Sequence, residues 1–321
     1  MHFFIDTNAY LSFYHFSGDD LEELKKLGVL IKQKQLTLVV PEQTRNEYGR
    51  SRATKIADAL KRLREQKLSL QYPQLCRPYD DFAELRRLQD EYDKVHAKLL
   101  SQLTQDVRDQ SLKADVIIRT LFDLSMSVAT TDDLFDRAHK RVAVGNPPGK
   151  PGSLGDALNW EAVLKVVPHG EAVCIVSDDG DFCSALDRDE FHPFLLAEWK
   201  EAKGSPLSFH RSLSSFFRER FPHIKLASAL EKELLIKELA TSNSYNDTHI
   251  VVARLRRFTE FSPEEAVSIF EAADLNSQVY RIASDPDVAR LLESVAPALP
   301  DSVQLGRYHW LPEHDDGEAP W

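Results

Sequence analysis

The sequence predicts an α/β fold on a mostly parallel central sheet, with a helical excursion in its first half and a helical module at its end. Short apolar strands alternate with helical stretches through the first 200 residues, the pattern of a parallel sheet with crossover helices. EAVCIVS (171–177) is a near-continuous apolar run, typical of a strand buried on both faces. After about residue 225 the strand signals fade and only helical patterns remain.

In chain order, FFID reads as a short buried strand ended by the turn-prone Asp-Thr-Asn. Residues 19–34 place Leu21, Leu24, Leu27 and Ile31 on one helical side. LTLVV (36–40) is a second strand. Pro41 then opens a long helix, since the first turn needs no N–H there. Its apolar stripe runs Tyr48, Ile56, Ala59, Leu60, Leu63. QYPQLCRP (71–78) breaks the pattern. A second long helix follows, with Leu85, Leu88, Tyr92, Val95, Leu99 and Leu103 at alternating three- and four-residue steps. The two helices form either a hairpin of arms or a plain antiparallel pair in the core.

Helical pattern continues through IIRTLFDLSM and DDLFDRAHKRV. GNPPGKPGS (145–153) is a loop, with three prolines and three glycines in nine residues. Asp156 starts a helix carrying Trp160, Val163, Leu164 and Val167. DDGDF is a tight turn into another helix, and FLLAEW (194–199) a further strand. In FSPEEAVSIF, Ser262, Pro263 and Glu265 spell an N-cap, first position and capping box; Asp285 and Pro286 offer a similar start. The expected organisation is a domain over 1–225, with a helical insertion at about 50–145, and a helical accessory module over 226–321.

The 321 residues are 42% apolar and 28% charged, enough to bury a sizeable core. No apolar run approaches bilayer length, and MHFFIDTN lacks a basic lead-in and an apolar stretch, so neither membrane span nor secretory leader is expected. Cys76, Cys174 and Cys183 have no metal-like spacing and fit reduced thiols in a cytoplasmic protein. The net charge of −11 argues against nonspecific nucleic-acid binding by the chain as a whole. Basic residues nonetheless gather locally. They include Arg50, Arg52 and Lys55 on the first arm, Arg141 and Lys150 by the Pro-Gly loop, and Lys200, Lys203, Arg211, Arg218, Arg220 and Lys225 further on. Acidic excess sits in the tail at Glu313, Asp315, Asp316 and Glu318. The Gly-Lys pair of the loop is no ATP-binding motif, because Pro151 follows Lys150 in place of Ser or Thr.

Four acids stand where a strand ends or a helix begins: Asp6, Glu47, Asp156 and Asp179. Each taken alone could be a turn or cap residue, which the positive end of a helix favours. Asp178, Asp179 and Asp181 together crowd one turn, a cost that a bound cation removes. All-oxygen ligands of this type suit Mg²⁺ or Mn²⁺, ions that serve phosphoryl chemistry.

FIDTN, Pro41 with Glu47 after it, GDALNWE and SDDGDF, in that order, resemble the PIN-domain nucleases. Asn-Pro-Pro-Gly ahead of a Gly-Asp-Ala helix start resembles a bacterial PIN-like subgroup with a long helical insertion. The resemblance covers about residues 1–200. It implies a three-layer PIN-like fold, with Asp6, Glu47, Asp156 and Asp179 as catalytic metal ligands and Asp181 as a further ligand or a turn-shaping residue. The doubled acid leaves open whether Asp178 or Asp179 is the fourth ligand. Thr7, Asn8 and Ser177 would orient the carboxylates. Glu47 and Asp156 lie 156 − 47 = 109 positions apart, longer than the compact family core needs, so the helical arms would be an insertion.

The implied activity is Mg²⁺- or Mn²⁺-dependent hydrolysis of RNA, with single-stranded RNA as the expected partner, leaving a 5′-phosphate and a 3′-hydroxyl. Arg50, Arg52, Lys55, Arg141 and Lys150 would bind the substrate. A toxin or phage-defence role is open to such a protein, as is a homo-oligomer or a regulatory partner engaged through the helical module. The rival readings are a DNA or structure-specific nuclease on the same acids, and a catalytically silent PIN-like module binding RNA or protein. The intact acid set speaks against silence.

Overall fold

The computed structural model describes residues 1–14, 21–68, 71–150 and 152–300. The acidic tail at 313–318 and Pro151 lie outside the described residues. The chain divides into two compact units, Met1–His223 and Ile224–Trp321.

The first unit contains β1 (His2–Ile5), α1 (Thr7–Ser12), α2 (Leu21–Lys32), β2 (Thr37–Pro41), α3 (Glu42–Glu65), α4 (Asp80–Arg108), α5 (Lys113–Leu124) and β3 (Met126–Val128). It continues with α6 (Asp132–Ala143), α7 (Gly155–Val166), β4 (Val173–Val176), α8 (Pro193–Lys203), β5 (Leu207–His210) and α9 (Leu213–Arg220). The five strands form one all-parallel sheet in the order β3-β2-β1-β4-β5. Strand alternation divides its side chains between two covers. Phe4 is in register with Val39 and Ile175, and these three pack with Trp160, Val163, Leu195 and Trp199 from α7 and α8. Phe3 is in register with Leu38 and Cys174 on the opposite face, where its ring meets Phe216 of α9 edge-on at 4.8 Å. The predicted sandwich of helix, sheet and helix is therefore present.

β1 and β4, the central strand and one of its neighbours, are the runs FFI and VCIV that the sequence marked as buried. The weaker strands differ from expectation. FLLAEW is helical, part of α8: Pro193 holds the first position, His192 Nδ1 accepts the Phe194 N–H at 3.2 Å, and Leu195 and Trp199 are buried four residues apart. A six-residue apolar run is too short to display that period. The fifth strand is instead Leu207–His210, an edge strand whose first three residues are only partly buried. The helix expected through IIRTLFDLSM stops at Leu124, and Met126–Val128 forms the other edge strand inside the span expected to be a helical insertion. Edge strands lack burial on both faces and so lack the apolar signature. Residues 178–192 form turns and bends, so no helix starts directly after DDGDF and the next one is α8. Pro41 ends β2 with extended backbone and α3 begins one residue later.

The two long helices form a hairpin of arms. Tyr92 Oη donates to the Gln66 carbonyl (3.1 Å), and His96 Nε2 lies 2.8 Å from the Leu63 carbonyl. The stripe on α4 does not pack as a whole: Leu85, Leu88, Val95 and Leu99 stand exposed. The base of α3 is fastened to α5 by a buried ion pair. Arg52 Nε donates to Asp115 Oδ1 at 2.6 Å, its Nη2 bonds Oδ2, and the hydroxyl of Tyr14 also donates to Asp115. A second buried cluster joins α6, α7 and α8. Arg141 Nη2 donates to Glu161 (2.7 Å) and pairs with Glu198, while its Nη1 donates to the Pro147 carbonyl (2.6 Å), holding the Pro-Gly loop. Arg52 and Arg141, expected to contact substrate, therefore spend their guanidinium donors inside the protein.

The second unit is helical: α10 (Ala227–Ala240), α11 (Tyr245–Leu255), α12 (Pro263–Leu275), α13 (Ser277–Arg281) and α14 (Pro286–Val295). They surround a core that includes Leu235, Leu255, Phe270 and Leu291. Ser262 and Glu265 close the expected capping box. Asp285 caps α14 without a side-chain bond to it; its carboxylate faces His249 Nε2 at 3.3 Å.

The ion pairs separate structural cations from free ones. Arg52→Ala and Arg141→Ala each strand a buried carboxylate and should cost about 3–5 kcal/mol of stability. Arg50→Ala, on an exposed side chain, should stay within about 0.5 kcal/mol of wild type. Urea titration of the three variants checks this; equal losses at all three positions would return Arg52 and Arg141 to the surface set.

Candidate active site

Parallel strands bring their carboxyl ends to one edge of the sheet, where ligands bind in open α/β folds. Asp6 follows β1 directly and is 2% exposed; its N–H donates to the Val176 carbonyl of β4 at 2.9 Å. Ser177, one residue past β4, donates its hydroxyl to Asp6 Oδ2 at 3.0 Å and accepts the Asp179 N–H at 3.1 Å. One buried hydroxyl thus ties the end of β1 to the acidic turn after β4. Asp179 Oδ1 in turn accepts the Asp181 N–H at 2.9 Å.

Glu47, in the second turn of α3, receives the Thr7 hydroxyl at 3.2 Å. Asp156 lies in the first turn of α7. Two buried side chains align these helices: Thr44 Oγ1 donates to Asn159 Oδ1 at 3.0 Å, one turn before Glu47 and one turn after Asp156. Gly155 permits the close approach, since a Cβ there would stand 3.0 Å from Gln43 Nε2 and 3.6 Å from Glu47 Oε2.

Asp156, Asp179 and Asp181 each offer a carboxylate oxygen within 4.8 Å of the other two. Asp6 and Glu47 stand around this trio close enough for their charges to act on it. Burial, assisted by Glu47 and Asp179, pushes the Asp6 carboxyl up to about 6, against the pull of Ser177. Burial and the surrounding acids push Asp156 up to about 7. Lys150 Nζ, from the Pro-Gly loop, is lodged at this edge, 3.1 Å from Asp181 Oδ1 and 4.0 Å from Asp179 Oδ1. The Gly149 N–H donates to Asp181 Oδ2 at 3.3 Å. An all-carboxylate donor set that already attracts an ammonium group fits a hard divalent cation. The trio would supply the ligand atoms, with Asp6 and Glu47 beside it.

The two acids of the doublet point in different directions. Asp178 turns outward, where Arg211 Nη2 (2.6 Å) and Arg188 Nη2 (3.6 Å) pair with its Oδ1. Asp179 faces the cluster. Of the three residues expected to orient carboxylates, Thr7 and Ser177 donate to Glu47 and Asp6, whereas Asn8 is exposed and lines a cleft of about 580 Å³ with Lys55, Lys150 and Asp179. A second cleft of about 710 Å³ opens on the Glu47 side, lined by Gln43, Arg50, Ser51 and His139 among others. Sequence reasoning did not single out Gln43, Thr44 and Asn159. Their spacing of three from Asp156 and of three and four from Glu47 was the available signal, being one helical turn in each case.

An all-parallel three-layer fold with an acidic edge flanked by two clefts defines a class: α/β proteins that gather carboxylates at strand ends. Within it the family is shown directly. Residues 3–182 match the PIN domain family model, and the chain belongs to the PIN-domain family. PIN domains are generally nucleases. No curated protein matches the chain, and no solved structure does.

Raised carboxyl pKa values carry a stability signature. Between about pH 4 and 7 the folded protein holds protons on Asp6 and Asp156 that the unfolded chain has released, so metal-free stability falls as pH rises through that window. Asp156→Asn should therefore be more stable than wild type at about pH 8, by about 1 kcal/mol or more, with the gap closing below about pH 4. Melting in chelator across this range checks the sign. Asn159→Ala should act oppositely at every pH, leaving the Thr44 hydroxyl buried without its acceptor at a cost of about 1–3 kcal/mol.

Proposed function

We propose that the protein is a Mg²⁺- or Mn²⁺-dependent ribonuclease that hydrolyses phosphodiester bonds at the cluster of Asp6, Glu47, Asp156, Asp179 and Asp181. The observation that carries this reading is the convergence of Asp156, Asp179 and Asp181 oxygens within 4.8 Å at the carboxyl ends of β1 and β4. When bound, the metal supplies activation of water and stabilisation of charge on the phosphate. The residues do the rest. Ser177 and Thr7 fix the orientation of Asp6 and Glu47, as outer hydrogen bonds do for metal-holding carboxylates. Asp6, 2% exposed, is itself shielded from solvent.

A polyanion reaching this edge needs cations outside the acid set. Arg50 lines the cleft beside Glu47, and Lys55 and Lys150 line the cleft beside Asp179. These three are the substrate contacts kept from the original five. They flank the acids on two sides, which suits a strand lying across the cluster. Lys150 has two roles: it neutralises Asp181 in the metal-free protein, and it can turn to a phosphate once a cation takes its place. The supports for RNA as the substrate, and for a toxin or phage-defence role, are the motif order and the subgroup it resembles.

Labelled single-stranded RNA, single-stranded DNA and duplex, incubated with Mn²⁺, Mg²⁺ or chelator, form the test. Cleavage of RNA with metal only is expected, and Asp6→Asn or Asp156→Asn should reduce it at least about 100-fold, a loss of about 2.7 kcal/mol in the barrier. Preference for DNA would move the assignment to a DNA nuclease, and cleavage indifferent to chelator would remove the metal. Neutralising Arg50, Lys55 and Lys150 together should weaken binding and lower its salt slope by roughly 0.7 per lost contact. An unchanged slope would return these residues to solvated faces.

A further inference from the structure

The nuclease reading leaves the outer face of α4 unused. Twenty-nine residues long, α4 meets α3 through Tyr92 and His96, and Leu103 shares a cavity with Ile56 and Leu60. Roughly 60° round the helix from these, by its 3.6-residue turn, runs a second row of Leu88, Val95 and Leu99, while Leu85 lies in line with Leu103. Leu85 is 43% exposed, Leu88 49%, Val95 62% and Leu99 44%. With half-buried Tyr92 between them, the steps are three, four, three and four. A strict 3.5-residue apolar repeat is the seam of a coiled coil, and a solvated helix face has no need of it.

We infer that α4 pairs with α4 of a second copy of this chain, antiparallel, to form a homodimer through the arms. Charge and the position of α3 select this occupant. Glu84, Glu91 and Lys98 hold the same heptad position, one residue before Leu85, Tyr92 and Leu99. In an antiparallel pair that position faces itself across the seam. With Leu88 across from Leu99 and Tyr92 across from Val95, Glu91 of each copy meets Lys98 of the other. Two complementary pairs form under one two-fold axis, the symmetry expected of a self-complementary patch. Glu91 has only an exposed i,i+4 contact to Arg87 within its own helix (3.2 Å), a weak competitor. In a parallel pair the same position would face Gln89, His96 and Leu103. His96 and Leu103 lie along α3, and two copies of α3 would compete for one level. Antiparallel pairing sets the two α3 helices at opposite ends, because α3 accompanies α4 only from about Tyr92 onward.

The midpoint of this pairing lies between residues 93 and 94. At about 1.5 Å per residue, the feet of the two arms stand roughly 45 Å apart. One assembly would then carry two acidic clefts at a fixed separation, available to one long polyanion.

Sedimentation velocity on the full chain tests the pairing without reference to cleavage, so its failure and that of the nuclease reading are separate outcomes. Wild type should sediment as a dimer at micromolar concentration. Leu88→Glu with Leu99→Glu, both at exposed positions, should give a monomer with an unchanged circular dichroism spectrum. Glu91→Lys alone and Lys98→Glu alone should each weaken the dimer about tenfold or more, and the double reversal should restore it. The pairing is overturned by a wild type monomeric at about 100 µM, by a dimer that survives the Leu88/Leu99 double variant, or by single reversals that the double fails to rescue.

Discussion

Everything at the edge of the sheet depends on holding like charges together in a poorly solvated place. Asp6, Glu47, Asp156, Asp179 and Asp181 arrive from four separate segments, and each is pushed away by the others. Repulsion and desolvation act against folding near neutral pH. The surrounding structure supplies the opposing force. The Phe3 and Phe4 faces of the sheet bury large rings on both sides. Ser177 locks two strand ends together, and the Thr44–Asn159 bond fixes the helices that carry Glu47 and Asp156. The core thus stabilises an arrangement that would not form for its own sake, and a bound cation would turn the strain into affinity.

Buried arginines perform a related task at a distance. Asp115 collects Arg52 and the hydroxyl of Tyr14, so the base of α3 cannot swing relative to α5. Arg141 binds Glu161, Glu198 and the Pro147 carbonyl, which holds the loop bearing Lys150 against α6, α7 and α8. Such pairs contribute little net stability compared with apolar replacements, but they specify one geometry. Specified geometry is what a multi-carboxylate site requires. Arg50 and Lys55, on the same helix as Arg52, have no such buried partner and face the clefts. A net charge of −11 therefore coexists with local cation patches beside the acids.

Three parts of the described residues follow separate physical logic. The strand-end cluster is polar and half-buried. The seam on α4 is apolar and exposed. The second unit closes its own core around Phe270 and Leu291 with capped helices, and no helix among the described residues is long and apolar enough to cross a membrane.

By itself the sequence determined the elements whose signal is local. The central strands were legible because burial on two faces demands an unbroken apolar run, as in FFI and VCIV. The start of α12 was legible because Ser262, Pro263 and Glu265 act within one turn. Asp6 and Asp156 were legible because the one follows a strand and the other opens a helix. Tertiary structure alone decided the rest. It made 194–199 a helix through Pro193 and the buried pair Leu195 and Trp199, and it drew β3 and β5 from residues that carry no apolar run because they lie on edges. It turned Asp178 outward and Asp179 inward, a choice that adjacent identical residues cannot encode. It also placed Arg52 and Arg141 on buried carboxylates 63 and 20 residues away, while Arg50 remained at the cleft. Strand, cap and turn chemistry is written in neighbours along the chain; the partner of a charge is fixed only when distant segments meet.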